Sequence, residues 1–309
     1  NYEIIIIDDC STSEEVLTYL DSLLMQSDSI KIIHLRENRG IAFARNCGIE
    51  CSRGEWICFL DHDDFWKRDY LSEIIQFCHK EDTDMIVAGY QIVNDMGKLL
   101  KYVPRKENSY FIESPYWIYS SSAPWNRLIR RSFLLQQNIR FPEGCLTEDI
   151  TFNITCNMLA RNPIGVDCHG YCNRLNQAST SRSRKFIAMN CNEMPFDSIE
   201  AICKRKGRVL DSDNSVIYEA AICEQLTLLT CIFCRESDKN TRKAARQISK
   251  RLIQEYIPGY IKSTIIYNSH MVGHRTSMKM IQLGYMIAIR LHIDSIYCGI
   301  VHVLLKSLM

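Results

Sequence analysis

The stretch Trp56-Ile57-Cys58-Phe59-Leu60-Asp61-His62-Asp63-Asp64 decides how this chain is read. An unbroken apolar run is the pattern of a strand covered on both faces, and here it ends abruptly in clustered carboxylates. Carboxylates this close repel one another unless a cation sits among them. A divalent metal that also carries phosphate oxygens suits them, because hard cations take carboxylate oxygens and leave their remaining positions to water and substrate phosphates. Acidic turns after strands are common, so the cluster alone reads more readily as a surface turn. Its neighbours carry the argument further.

Working outward, Glu3 to Ile7 is a second apolar run leading into Asp8-Asp9-Cys10-Ser11-Thr12-Ser13-Glu14. Ser11 and Glu14 have the spacing of a capping box, predicting a helix to about Gln26 with Val16, Leu17, Leu20, Leu23 and Leu24 as its apolar stripe. Strands are then expected at Lys31 to Leu35, Trp56 to Leu60 and Asp84 to Ala88, and helices at Gly40 to Cys51 and Asp69 to Lys80. Strands alternating with helices imply right-handed crossovers and an open α/β sheet. In such sheets ligands bind outside the carboxyl ends of the strands, where Asp8, Asp9, Asp61 and Asp63 all fall.

Four segments now stand in order: Asp8-Asp9-x-Ser-Thr, Asn38-Arg39-Gly40-Ile41-Ala42-Phe43-Ala44-Arg45-Asn46, Phe59-Leu60-Asp61-His62-Asp63-Asp64 and Glu148-Asp149-Ile150-Thr151-Phe152. Together they resemble the family 2 inverting glycosyltransferases of the GT-A fold, of the non-processive bacterial type, across residues 1–185. The Gln-x-x-Arg-Trp motif of processive members is not found. The resemblance implies a Rossmann-like, mostly parallel open sheet flanked by helices, followed by a C-terminal helical region. It divides the chain into a nucleotide-sugar-binding half at 1–105, an acceptor-side half at 106–185 and helices at 186–309. The strand and helix that open the family's domain are absent from this sequence.

The roles that follow are those the resemblance implies. The donor is a nucleotide-diphosphate sugar, typically a uridine diphosphate sugar, and the acceptor a saccharide or lipid-linked saccharide of a cell-surface polysaccharide or glycolipid. Asp63 holds Mg²⁺ or Mn²⁺, and Asp61 helps hold it or binds the ribose. Asp8, Asp9, Asn38, Gly40 and Arg45 line the nucleotide, with Asp9 on the base. Ser122 to Leu128 lines the donor sugar, where Trp125 reads equally as a stacking platform or a buried aromatic. Asp149 is the general base, with Glu148 beside it as the other acid of the pair. Acids in a first helical turn are also favoured by the helix dipole. Arg174, and Arg182 in the polar stretch Ala178 to Arg184, are candidate phosphate contacts. His169 reads as well as a structural histidine.

Beyond Lys185 the pattern turns helical, with apolar periodicity at Val216 to Cys234, Asn240 to Tyr256 and Thr276 to Leu291. The last stretch, Met280 to Met309, is the most apolar, but Arg290, His292, Asp294 and His302 interrupt it, so no membrane span of about 20 residues is expected. These helices either pack on the enzyme or lie on a membrane surface. A net charge of +1 makes no whole-chain case for nucleic acid. The 15 cysteines are scattered and read as reduced thiols of a cytoplasmic protein. Cys231-x-x-Cys234 reads as two buried helix positions ahead of a zinc site. Two rivals come from other classes. A phosphorelay receiver shares the early acidic pair and a later Asp, but leaves Glu148-Asp149 and the Asn38 to Asn46 motif unexplained. The other is a catalytically inactive nucleotide-sugar-binding homologue: the intact Asp61, Asp63 and Asp149 argue against it, and the missing first strand keeps it open.

Overall fold

The computed structural model describes residues 2–79, 82–104, 123–144, 148–175, 196–206, 212–233, 237–264 and 276–307. They fall into two compact units, divided after Asn176. The first is α/β. Strand β1 (Ile4–Asp8) pairs in parallel with β2 (Ile30–His34), through α1 (Glu14–Leu24) as the crossover. Helix α2 (Gly40–Cys51) leads to β3 (Trp56–Cys58), then β4 (Phe65–Trp66), α3 (Tyr70–Ile75), β5 (Met85–Ala88), β6 (Tyr90–Val93) and β7 (Leu99–Val103). Strand β8 (Arg127–Arg130), α4 (Arg131–Gln136), α5 (Glu148–Leu159), β9 (Ile164–Val166) and β10 (Tyr171–Arg174) complete it.

The α/β class holds, and the ladders are mixed. One sheet has the order β3-β8-β5-β9, in which β8 runs antiparallel to both neighbours and β9 parallel to β5. Another has the order β4-β10-β6-β7, with β10 parallel to β6. The core between sheet and helices holds Tyr70, Ile74, Ile86, Ala88, Leu128 and Tyr171. Among the described residues β1 and β2 form a sheet of their own. For that reason β1, read as covered on both faces, is only partly buried, and Ile4 is exposed.

Local corrections have local causes. The cap of α1 is Ser13, whose Oγ accepts from the Val16 amide at 3.4 Å. The Ser11 amide instead donates to Asp8 Oδ1, so the Ser11–Glu14 capping box does not form. Strand β3 stops at Cys58 instead of Leu60. The Phe59 ring turns to pack edge-on against Phe141 and Phe152, at 5.3 and 6.0 Å, which takes it out of the ladder. Helix α3 ends at Ile75, short of Lys80.

The second unit is helical among its described residues: α6 (Phe196–Lys206), α7 (Ser212–Leu228) running into a π-turn (Leu229–Phe233), α8 (Lys239–Tyr256), α9 (Thr276–Arg290) and α10 (Asp294–Ser307). Ala220, Ala221, Leu226, Leu252, Tyr285 and Ile289 are fully buried in it. Cys231 is also buried, its sulfur 3.5 Å from that of Cys298, and Cys234 lies outside the described residues. No described helix is long and apolar enough to cross a membrane.

Candidate active site

The acidic segment after β3 forms a tight turn, closed by the Asp64 amide donating to the Asp61 carbonyl at 3.0 Å. Asp64 fixes this turn to β10. Its carboxylate accepts from the Tyr171 hydroxyl at 2.7 Å, from Asn173 Nδ2 at 3.1 Å and from the Arg174 amide at 2.7 Å. Burial raises its pKa, with these hydrogen bonds opposing. Asp64 is thereby committed to structure. Asp63 makes no hydrogen bond or ion pair among the described residues and is partly exposed.

Asp61 is joined to the other acidic pair through Arg45. From α2, Arg45 Nη2 donates to Asp61 Oδ1 at 2.8 Å and Nη1 to Glu148 Oε1 at 3.0 Å. The side chains of Arg45 and Glu148 are each 10% exposed and that of Asp61 25%, so this bridge is largely shielded from water. Burial raises the Glu148 pKa while Arg45 draws it down. Next to it, Asp149 opens α5, with Oδ1 accepting from the Ile150 amide at 2.7 Å. Burial, then the neighbouring Glu148 charge, pushes the Asp149 carboxyl up to about 7. A carboxyl that titrates near neutrality and keeps an opening to solvent has the properties of a general base.

Helix α2 and an aromatic stack hold this geometry. Asn46, one residue past Arg45, pairs with the backbone of Phe141: Nδ2 donates to its carbonyl and Oδ1 accepts from its amide, both at 2.9 Å. The Phe141 ring stacks on Phe152 of α5 at 3.8 Å, and Arg45 lies 5.2 Å from the centre of the same ring. One helix thus positions both acidic pairs.

At the end of β1, Asp8 and Asp9 have separate partners. Burial pushes the Asp8 carboxyl up, but hydrogen bonds from Ser11 and His34 outweigh it and the net shift is downward. Asp9 accepts from the amides of Arg39 and Gly40, each at 2.8 Å, while Asn38 Nδ2 donates to the Asp9 carbonyl at 3.2 Å. Its carboxylate therefore caps the positive end of α2. Gly40 takes φ +83°, a conformation that needs glycine there.

Trp125 is 9% exposed, stacked on Tyr171 at 4.3 Å and edge-on to Tyr90 at 4.8 Å. One of its faces is therefore taken. Arg174 lies with its guanidinium 5.5 Å from the Phe65 ring centre, and its buried Nε has no hydrogen-bond partner among the described residues. His169 pairs with Asp167 at 3.1 Å and packs on Tyr102, a structural setting. Arg182 lies outside the described residues.

Among the described residues no group of three or more His, Cys, Asp or Glu side chains could hold a metal. A magnesium-like ion does not require one, since it is held by one or two carboxylates together with substrate phosphates. The unpartnered Asp63, with Asp61 two residues before it, fits that donor set.

The α/β unit thus sets carboxylates at the ends of β1 and β3 and at the start of α5, a setting that suits a glycosyltransferase. Residues 1–137 match the family model of glycosyl transferase family 2, and this part of the chain is a domain of that family. Over 259 residues the chain is 26% identical to the glycosyltransferase EpsH of Bacillus subtilis, covering 81% of this chain and 72% of that one. It is 37% identical over 97 residues to the Escherichia coli UDP-Glc:alpha-D-GlcNAc-diphosphoundecaprenol beta-1,3-glucosyltransferase WfaP, covering 31% of this chain and 37% of WfaP. The structure of Staphylococcus aureus TarS 1-349 in complex with UDP-GlcNAc superposes with a TM-score of 0.71 at 17% identity, over 99% of this chain and 82% of that one. At that identity the likeness is one of fold.

Proposed function

We propose that this protein transfers a sugar from a uridine diphosphate sugar to a hydroxyl of a saccharide or lipid-linked saccharide, with inversion, in cell-surface polysaccharide or glycolipid synthesis. The observation that carries the proposal is the Arg45 bridge, which ties the acidic turn at Asp61 to the helix opening at Glu148-Asp149. Donor-side and base-side carboxylates then belong to one site. Residues 1–105 hold the donor, 106–185 the acceptor side, and 186–309 form the helical region.

Asp149 takes the proton of the acceptor hydroxyl as that oxygen attacks the anomeric carbon from the face opposite the leaving group. The carbon–oxygen bond to phosphate breaks, and the nucleoside diphosphate departs with the electron pair. When Mg²⁺ or Mn²⁺ is held by Asp63 and Asp61, it neutralises the charge growing on that diphosphate. Arg174, with its unpartnered Nε, donates to a phosphate oxygen, as Arg182 does in the following stretch. Asp8 and Asp9 border the base and ribose along with Asn38 and Gly40, and Trp125 lines the sugar with its remaining surface. The names of WfaP and of the TarS complex support a nucleotide-sugar donor, and that of WfaP a lipid-linked acceptor. We place the reaction in the cytoplasm at the inner face of a membrane.

Two substitutions test the assignment. Asp63→Asn removes the metal-holding carboxylate and is expected to abolish Mn²⁺-dependent binding of uridine diphosphate sugars in titration calorimetry. Asp149→Asn keeps donor affinity but lowers transfer by about 10²–10⁴, the range for removal of a general base. Unchanged metal-dependent affinity in the first variant, or near-parental transfer in the second, defeats the corresponding role.

A further inference from the structure

Among the described residues, the helical unit carries an apolar surface that their packing does not cover. On α9, Met280, Gly284, Ile287 and Leu291 recur at intervals of four, three and four, so they share one face that continues past the end of the helix. Ile293 precedes α10, and Ile296 and Ile300 continue its line along that helix. The six large side chains among these are each between 43% and 64% exposed. Tyr297 joins the two rows. Its hydroxyl donates to the carbonyls of Met280 and Ile281 at 3.4 and 3.0 Å, and it lies over Gly284, where a Cβ would stand 2.3 Å from that hydroxyl. Exposed apolar rows of this length mark an interaction surface.

Charge selects the occupant. Residues 177–309 hold 19 Lys and Arg against 11 Asp and Glu, a net +8, although the whole chain is only +1. On α8, Lys239, Lys243, Arg246 and Lys250 recur at intervals of four, three and four, forming one basic ridge. The ridge ends at the α9–α10 tip, where Lys250 Nζ lies 3.3 Å from His292 Nδ1 and 3.4 Å from Asp294 Oδ1. The nearby acids are neutralised: Asp294 by Lys250, Asp238 by capping α8, and Glu255 by Arg251. A basic ridge that runs into exposed Leu291, Ile293 and Ile296 matches a surface with anionic headgroups above an apolar layer.

We propose that the α8 ridge and the exposed face of α9–α10 bind an anionic lipid bilayer as a peripheral, interfacial contact. The proposal gives the membrane location above a surface, and it rests on the helical unit alone. The exposed aliphatic side chains of the hairpin enter the headgroup boundary while Lys239, Lys243 and Arg246 of α8 meet lipid phosphates. Attraction of this kind weakens as salt screens it, within about 8 Å at physiological ionic strength.

Flotation of the full chain, without donor, on vesicles of phosphatidylcholine alone and of equal parts phosphatidylcholine and phosphatidylglycerol tests it. Binding to the anionic vesicles is expected to exceed that to neutral ones by on the order of tenfold, and to fall as salt rises. Lys243→Glu with Arg246→Glu, and separately Ile296→Ser with Ile300→Ser, are each expected to lower anionic binding by about tenfold. Equal binding to both vesicles, no binding, or indifference to both double variants overturns the proposal. Sedimentation velocity without lipid supplies a second arm: self-association of the parent chain that Ile296→Ser with Ile300→Ser abolishes would make this face a contact between copies, and would also overturn it. Circular dichroism and donor titration on the same variants report the fold and the sugar-nucleotide site, so loss of lipid binding is separable from failure of the proposed reaction.

Discussion

As the proposed base, Asp149 couples an activity to a cost. Burial and the adjacent Glu148 hold its carboxyl at about 7, well above its value of about 3.9 in an unfolded chain. A base works only when unprotonated, so transfer is expected to rise with pH through about 7 and then level off, in initial-rate profiles at saturating donor. The sign for stability is opposite. A carboxyl whose folded pKa is raised favours the fold while protonated, and that advantage is lost as pH climbs from about 4 to 7. Asp149→Asn is therefore expected to raise the melting temperature relative to the parent at pH 8 and to leave it nearly unchanged at pH 4. A variant less stable than the parent at pH 8 would show that ionised Asp149 is compensated in the fold. The carboxylates proposed for this site could be picked out because acids clustered at strand and helix ends stand out against apolar runs. Asp64 was not: its partners Tyr171, Asn173 and Arg174 lie more than a hundred positions away and meet it only once β10 is in register with β4.

At the scale of elements, the sequence showed where α2 begins and ends but not what it holds. Its bounds follow from the turn glycine and the helical run after it, and the structure keeps them. Asn46 read as part of a motif, yet its work is to replace a missing strand partner for the Phe141 backbone. Side-chain pairing across 95 positions has no periodic signature, so spacing does not disclose it. Asn46→Ala leaves a buried amide and a buried carbonyl unpaired at about 1–3 kcal/mol each, partly offset by relaxation, so a loss of about 2–3 kcal/mol is expected in urea unfolding. Because Phe141 stacks on α5, transfer should fall more than stability accounts for, and donor affinity should fall less. A purely structural Asn46 would lower the two in step. Arg45 belongs to the same helix. Arg45→Met leaves Glu148 and Asp61 without their shared cation, expected to cost on the order of 3 kcal/mol, since an uncompensated shielded charge outweighs a lost surface pair. The α1 cap was misread for a related reason. Ser11 and Ser13 both satisfy local capping chemistry, and the competing demand of Asp8 for the Ser11 amide decided between them.

Across the whole molecule, the α/β class was legible because alternation of strand and helix is a property of long segments, whereas β8 was not, since its antiparallel insertion between β3 and β5 depends on how distant strands pair. The cysteines allow the two units to be compared energetically. None of the twelve described cysteines is in a disulfide. Burial pushes Cys58, Cys156 and Cys168 each up to about 12, so at pH 8 only ~1 in 10⁴ of each is the reactive thiolate. Iodoacetamide should therefore label them slowly in the native chain and fully in denaturant, with peptide mass spectrometry reading each site. Gly170 gives a way to loosen one unit. A Cβ there would lie 2.4 Å from the Cβ of Tyr70, a buried core residue that neighbours Cys58 and Cys168. Gly170→Ala overpacks that contact and is expected to destabilise the α/β unit by about 3 kcal/mol. If each unit is cooperative by itself, labelling of Cys58 and Cys168 accelerates by about 10²-fold at that cost, while Cys231 and Cys298 in the helical core keep their parental rates. If all four accelerate together, the chain opens as one body, and the division after Asn176 is a feature of packing without its own unfolding transition.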